Sequence, residues 1–178
     1  MYKKYIGILL LVLSILLAAS GCSYASHKDY YSDFDDYSEI WELTGVRYSY
    51  KNTASLFPES IENLSVKNFF CRYDQQLPLG EGIQVLLEIQ YTDEEMFVNE
   101  VENISSISFS CDDYFSEIGF SAYAIRLGVD SSSEYALIDE ENHTVYYIYL
   151  QNIPQKEIEI DHKFLPAGYT EFGDITTN

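Results

Sequence analysis

Basic residues are scarce in this chain: 10 Lys and Arg stand against 29 Asp and Glu, a formal net charge of −19. A nucleic-acid binder needs a basic face to meet phosphate, and so does a protein that adheres directly to anionic lipid headgroups. The composition argues against both. Histidine is scarcer still, with only His27, His143 and His162. No two of them lie three or four positions apart and H-E-x-x-H does not occur, so no local zinc motif is present. The glycines form neither a phosphate-cradling loop nor a dinucleotide fingerprint. The nearest approach to a nucleophile elbow, Gly119-Phe120-Ser121-Ala122-Tyr123, lacks the second Gly of G-x-S-x-G. Adjacent acids such as Glu94-Glu95, Asp112-Asp113 and Glu140-Glu141 read as charged surface, because glycoside cleavage needs two carboxyls at a set separation across a cleft. Asp33-Phe34-Asp35-Asp36 lacks the Gly and the closing Glu of a calcium loop. These absences call for no cofactor and no metal.

What is present begins at the N-terminus. Lys3 and Lys4 precede an apolar run from Ile6 to Ala19, broken only by Gly7 and Ser14, and Ala18-Ala19-Ser20-Gly21-Cys22 follows. A basic start, an apolar centre and a small-residue cleavage site make up a secretory signal peptide. With the cysteine directly after Ala-Ser-Gly, the leader resembles the lipobox signal of bacterial lipoproteins, with Ala19 where that family most often carries Leu. The resemblance implies cleavage before Cys22, a lipid on its thiol, and residence on the outer side of the cell membrane. Two other outcomes stay open: cleavage after a small residue such as Ser20, which releases a soluble protein, and retention as a membrane helix. The apolar run is shorter than the ~20 residues a bilayer span needs. The rest of the chain resembles small surface lipoproteins of Gram-positive bacteria in general build, without a shared motif. Leu165-Pro166-Ala167-Gly168 departs from the sortase signal L-P-x-T-G at its fourth residue, so covalent wall attachment is not expected.

Past residues 1–21, 8 basic residues face 29 acidic ones, a formal −21. Residues 22–38 are polar, acidic and without apolar period, and read as a flexible tether carrying the lipidated cysteine. Residues 39–178 then make one domain, large enough to bury a core without disulfides. Tyr and Phe are abundant, at 17 and 10. They are strand formers as well as ligand-binding surfaces.

The tether is followed by helical turns around Ile40, Trp41 and Leu43, a short strand at Arg47 to Tyr50 and another turn over Glu59 to Asn63. Strands are predicted over Lys67 to Tyr73, Ile83 to Tyr91, Ser106 to Cys111, Ser121 to Leu127, Tyr135 to Asp139 and Thr144 to Leu150, with a last short one at Glu157 to Asp161. Ile83, Val85, Leu87, Ile89 and Tyr91 share one face of the clearest of them. Thr92-Asp93-Glu94-Glu95 has the form of a capping box with Thr92 as N-cap, and the helix it opens runs to about Asn103 with Phe97, Val101 and Ile104 inward. Glu140 to His143 is a four-residue hairpin loop. Thr144 to Leu150 is apolar on both faces and therefore central. The whole is α+β: an antiparallel sheet of about five to seven strands with one main amphipathic helix. A β-sandwich is the alternative.

Cys71 and Cys111 fall on apolar sides of predicted strands and form a possible disulfide, since thiols pair outside the cell; two buried free thiols are the other reading. A non-catalytic module that binds a protein, peptide or wall glycan needs only the features already named. Its possible binding face is Trp41, Tyr48, Tyr50, Tyr147 and Tyr149. A hydrolase acting on wall material and a solute receptor are the alternatives. A pocket holding His143 or His162 beside two carboxylates would favour the enzyme. For the anchor, Cys22→Ala is expected to leave an uncut precursor or a released form without lipid. Metabolic labelling with a radioactive fatty acid checks this, and an unlabelled wild type would remove the lipoprotein reading.

Overall fold

The computed structural model describes residues 26–39, 56–76, 80–129, 131–170 and 174–176. They build one seven-stranded antiparallel sheet, β1 Ser26–Tyr31, β2 Val66–Gln76, β3 Gly80–Gln90, β4 Phe109–Ser110, β5 Ser121–Val129, β6 Ser132–Asp139 and β7 Thr144–Gln151, with one α-helix, α1, at Glu94–Ile107. The strand order is β1-β2-β3-β7-β6-β5-β4. The fold class is thus α+β, and the sandwich alternative is set aside, because all seven strands join a single sheet. No helix among the described residues is long and apolar enough to cross a membrane.

Alternation divides the side chains of the sheet between two cores. Cys71, Val85, Leu87, Ile89, Val145, Tyr147 and Tyr149 point to one face, where Phe97 and Ile104 of α1 and Leu56 and Phe57 close over them. Leu86, Ala122, Ala124, Tyr135, Leu137, Ile148 and Leu150 point to the other, under a C-terminal strap that contributes Ile153, Ile158, Ile160, Phe164 and Tyr169. β7 lies fourth of the seven and is buried along most of its length, as its two apolar faces require.

Four expectations are corrected. First, the flexible tether over 22–38 is only partly a tether, because Ser26–Tyr31 pairs in continuous register with Cys71–Gln76. β2 presents a long row of backbone groups that need partners, and an edge strand can supply them without an apolar period of its own. Polar contacts complete the docking: Tyr30 leans on Phe70 and donates to Glu159 Oε1 at 3.3 Å, and Lys28 Nζ lies 3.8 Å from Asp74 Oδ1. Second, Thr92 is not the helix cap; Asp93 is, accepting from the Met96 amide at 3.0 Å. Asp ranks above Thr in this role. Third, α1 passes Asn103 by a turn, and the strand expected over Ser106 to Cys111 shrinks to two residues. The hydroxyls of Ser105, Ser106 and Ser108 donate back to the carbonyls of Glu102, Asn103 and Ile104 and extend the coil.

Fourth, Glu157 to Asp161 is not a strand, although Ile158 and Ile160 do face inward. Side chains hold its backbone instead. The Gln84 amide donates to Glu157 O at 3.2 Å and accepts from the Glu159 amide at 2.9 Å. Arg72 donates through Nη1 to Glu157 O at 2.8 Å and to Glu159 Oε1 at 2.7 Å, and through Nη2 to Asp74 Oδ2. Gln84 is fully buried, and Arg72 and Asp74 are 2 % and 1 % exposed.

Removing one member of a buried ion pair strands the other charge in the core. Arg72→Ala is expected to lower stability by about 3–5 kcal/mol. Arg72→Met with Asp74→Leu is expected to cost clearly less than the single change. Urea unfolding midpoints check both, and a double variant as unstable as Arg72→Ala would show that the cost is lost packing.

Candidate functional site

The register sets two poles. Ser26, Gln76 and Gly80 are paired at one end of the sheet, where β1 begins. At the other end Gln90 pairs with Thr144 and Thr144 with Asp139, so the Glu140 to His143 turn projects from that end. The turn is held by Asp139, whose Oδ1 accepts from the Asn142 amide at 3.1 Å and whose Oδ2 accepts from Asn142 Nδ2 at 2.8 Å. His143 has a φ of 48° and gives its carbonyl to the Tyr91 amide at 2.8 Å, which ties the turn to the segment leading into α1.

Two hollows flank this turn. One, of about 310 Å³, is lined by Glu94, Phe97, Val98, Val101, Glu102, Glu140 and His143. The His143 ring stacks on Phe97 with centroids 4.8 Å apart and planes 23° apart. Phe97 is buried at 6 % exposure and forms the floor, while Val98, at 46 %, stands on the wall. The other hollow, of about 370 Å³, is lined by Ile118, Gly119, Phe120, Ser121, Ile138, Asp139, Glu140 and Glu141. Glu140 belongs to both, and Ser121 Oγ donates to its Oε1 at 3.3 Å. Among the described residues, no Lys or Arg lines either hollow.

Beneath the floor runs a polar chain. Phe97 meets Tyr91 at 6.1 Å, the Tyr91 and Tyr147 hydroxyls lie 3.3 Å apart, and Tyr147 donates to Glu100 Oε1 at 2.7 Å. Burial pushes the Tyr91 hydroxyl up to about 12, with the Tyr147 hydroxyl lowering it and Glu100 raising it; burial holds Tyr147 well above the ordinary tyrosine value. Both therefore stay protonated and serve as donors that brace α1.

The residues singled out from sequence scatter. Cys22, Trp41, Tyr48 and Tyr50 lie outside the described residues. Tyr147 and Tyr149 do not form a binding face: they are 0 % and 3 % exposed and belong to the helix-side core. A strand central to the sheet has no open face to present. Tyr149 instead lies under the Arg126 guanidinium, 5.2 Å from the ring centroid, beside the buried Arg126–Glu134 pair at 2.9 Å. Cys71 and Cys111 are free and cannot pair, because they belong to cores on opposite faces of the sheet. Burial pushes both thiols up to about 12, with Asp112 adding to the effect at Cys111.

His143 does lie in a hollow with three carboxylates, the arrangement that would favour an enzyme. Among the described residues, however, no hydrogen bond or ion pair reaches its ring, and the hollow contains no Ser, Cys or Thr. No group of three or more potential metal ligands occurs among the described residues. The arrangement offers an apolar floor and an acidic rim, which suit binding. The capping signal and the hairpin signal mark the two halves of this site in the sequence, but nothing local to either announces that His143 meets Phe97.

Floor and rim should respond differently to substitution. Phe97→Ala is expected to cost about 3–5 kcal/mol, since it empties a buried aromatic site. Glu140→Gln is expected to change stability by less than about 0.5 kcal/mol. Urea unfolding of each variant checks this pair of values.

Comparison with known protein families, curated proteins and solved structures finds no match to this chain.

Proposed function

We propose that the protein is a lipid-anchored extracytoplasmic module, held to the outer face of the cell membrane through Cys22, and that it binds a protein, peptide or wall glycan without catalysis. The observation that carries the reading is the position of the two hollows. Cys22 stands four residues before Ser26, so a lipid on it lies within about 14 Å of the start of β1. The hairpin pole is at the far end of β3, whose eleven residues span about 36 Å. A partner approaching from outside would meet that pole first. The unpaired acids around it and the apolar floor supply recognition chemistry.

A wall hydrolase is the second reading, favoured by the presence of His143 among Glu94, Glu102 and Glu140. One experiment separates the two. The photoreactive amino acid p-benzoylphenylalanine is placed at Glu102 or, as a control, at the exposed Val129 near the β1 end, in the full chain expressed in a Gram-positive host. Irradiation is expected to give a discrete adduct from position 102 and none from 129. Absence of an adduct at 102, or release of wall fragments by the wild type that His143→Ala abolishes, would overturn the binding-module reading.

A further inference from the structure

We propose that the two hollows form one docking site for an extended peptide bearing at least two Lys or Arg side chains, one for each side of the Glu140 to His143 turn. The inference rests on the binding-module reading and names the partner's chemistry.

Charge is the first argument. The carboxylates lining the hollows are Glu94, Glu102 and Glu140 on the helix side and Asp139, Glu140 and Glu141 on the other. Asp139 is occupied by Asn142, and Glu140 has only the long contact from Ser121. Glu94, Glu102 and Glu141 make no ion pair among the described residues. Four of the described cations are engaged elsewhere: Arg72 with Asp74, Glu157 and Glu159; Arg126 with Glu134; Lys163 with Asp161; and Lys28 with Asp74. The other two, Lys67 and Lys156, line neither hollow. Among the described residues no cation lines the hollows to neutralise these acids, and a cationic partner complements them.

Shape and surface chemistry narrow the partner further. Val98 and Val101 on one side and Ile118 and Phe120 on the other make apolar surface that a bare cation would leave uncovered. Lys and Arg lay aliphatic stems along such surface while their charged ends reach the rim. A sugar would need an open aromatic platform. Phe97 is buried under His143, and Phe120 is stacked on Tyr146 at 5.8 Å and 12°. Glu140 is common to both hollows, so a ligand filling both must cross the turn, which an extended backbone with alternating side chains does. Two weak sites joined by one chain bind more tightly than either alone.

The test uses the full chain, lipidated and held in nanodiscs of zwitterionic lipid, against a positional-scanning nonapeptide library read by fluorescence anisotropy. Lys or Arg is expected to be preferred at two or more positions. Binding of the best peptide should weaken several-fold between low and high salt. It should fall about tenfold in Glu102→Gln with Glu140→Gln, and stay within about twofold in the exposed control Glu62→Gln. No bound peptide, bound peptides without basic preference, or an unaffected double variant would each overturn the proposal. A specific adduct from position 102 together with any of those results would leave the binding-module reading standing with a different partner.

Discussion

Gln84 and Arg72 stand on the strap side of the sheet and make the hydrogen bonds that a neighbouring strand would otherwise supply to Glu157 and Glu159. The rest of the structure depends on that substitution. A sheet with β7 apolar on both faces must be covered twice. α1 covers one face with a regular element whose backbone is satisfied internally. The strap covers the other with an irregular segment, and an irregular segment over a core needs partners for its polar backbone groups. The Gln84 amide, carrying a donor and an acceptor together, answers the Glu157 carbonyl and the Glu159 amide at once. Arg72 adds a charged donor and is neutralised by Asp74. Tyr30 of β1 reaches the same Glu159, so the first strand and the C-terminal strap share one polar cluster.

The distribution of charge follows from the same constraint. Few cations are available, and two of them, Arg72 and Arg126, are committed inside the fold to pairs with Asp74 and Glu134. The hairpin pole holds several of the remaining acids, with no described Lys or Arg lining its hollows. The acidic excess of the composition appears there as an acidic rim, since no described Lys or Arg lines the two hollows. That rim surrounds an apolar floor, since Phe97 must reach back over the end of the sheet to cover Tyr91 and meets His143 there.

Much of the architecture was legible because it depends on local periodicity. The period of two in Ile83 to Tyr91, the double-sided apolar run in Thr144 to Leu150 and the loop signal between Asp139 and Thr144 each predicted an element that the structure contains. Local reading failed where a remote partner decided the outcome. Ser26–Tyr31 is polar enough to read as tether and becomes a strand because β2 offers an unpaired edge. Ile158 and Ile160 alternate as a strand does, yet their backbone partners are side chains. Ser106 and Ser108 alternate with Ile107 and Phe109 as one face of a strand does, and instead, with Ser105, donate to carbonyls in α1.

The candidate site divides in the same way. The sequence by itself determined the α+β class, the central position of β7, the acidic excess and the chemical types of residue in the turn and the helix, since each is a property of composition or of spacing within one segment. Tertiary structure decided that Tyr147 and Tyr149 are core, that Cys71 and Cys111 face apart, and that Phe97 and His143 meet under Glu94, Glu102 and Glu140. Those outcomes depend on which strands become neighbours and which face each residue takes, and strand order is set by contacts between segments far apart in the chain.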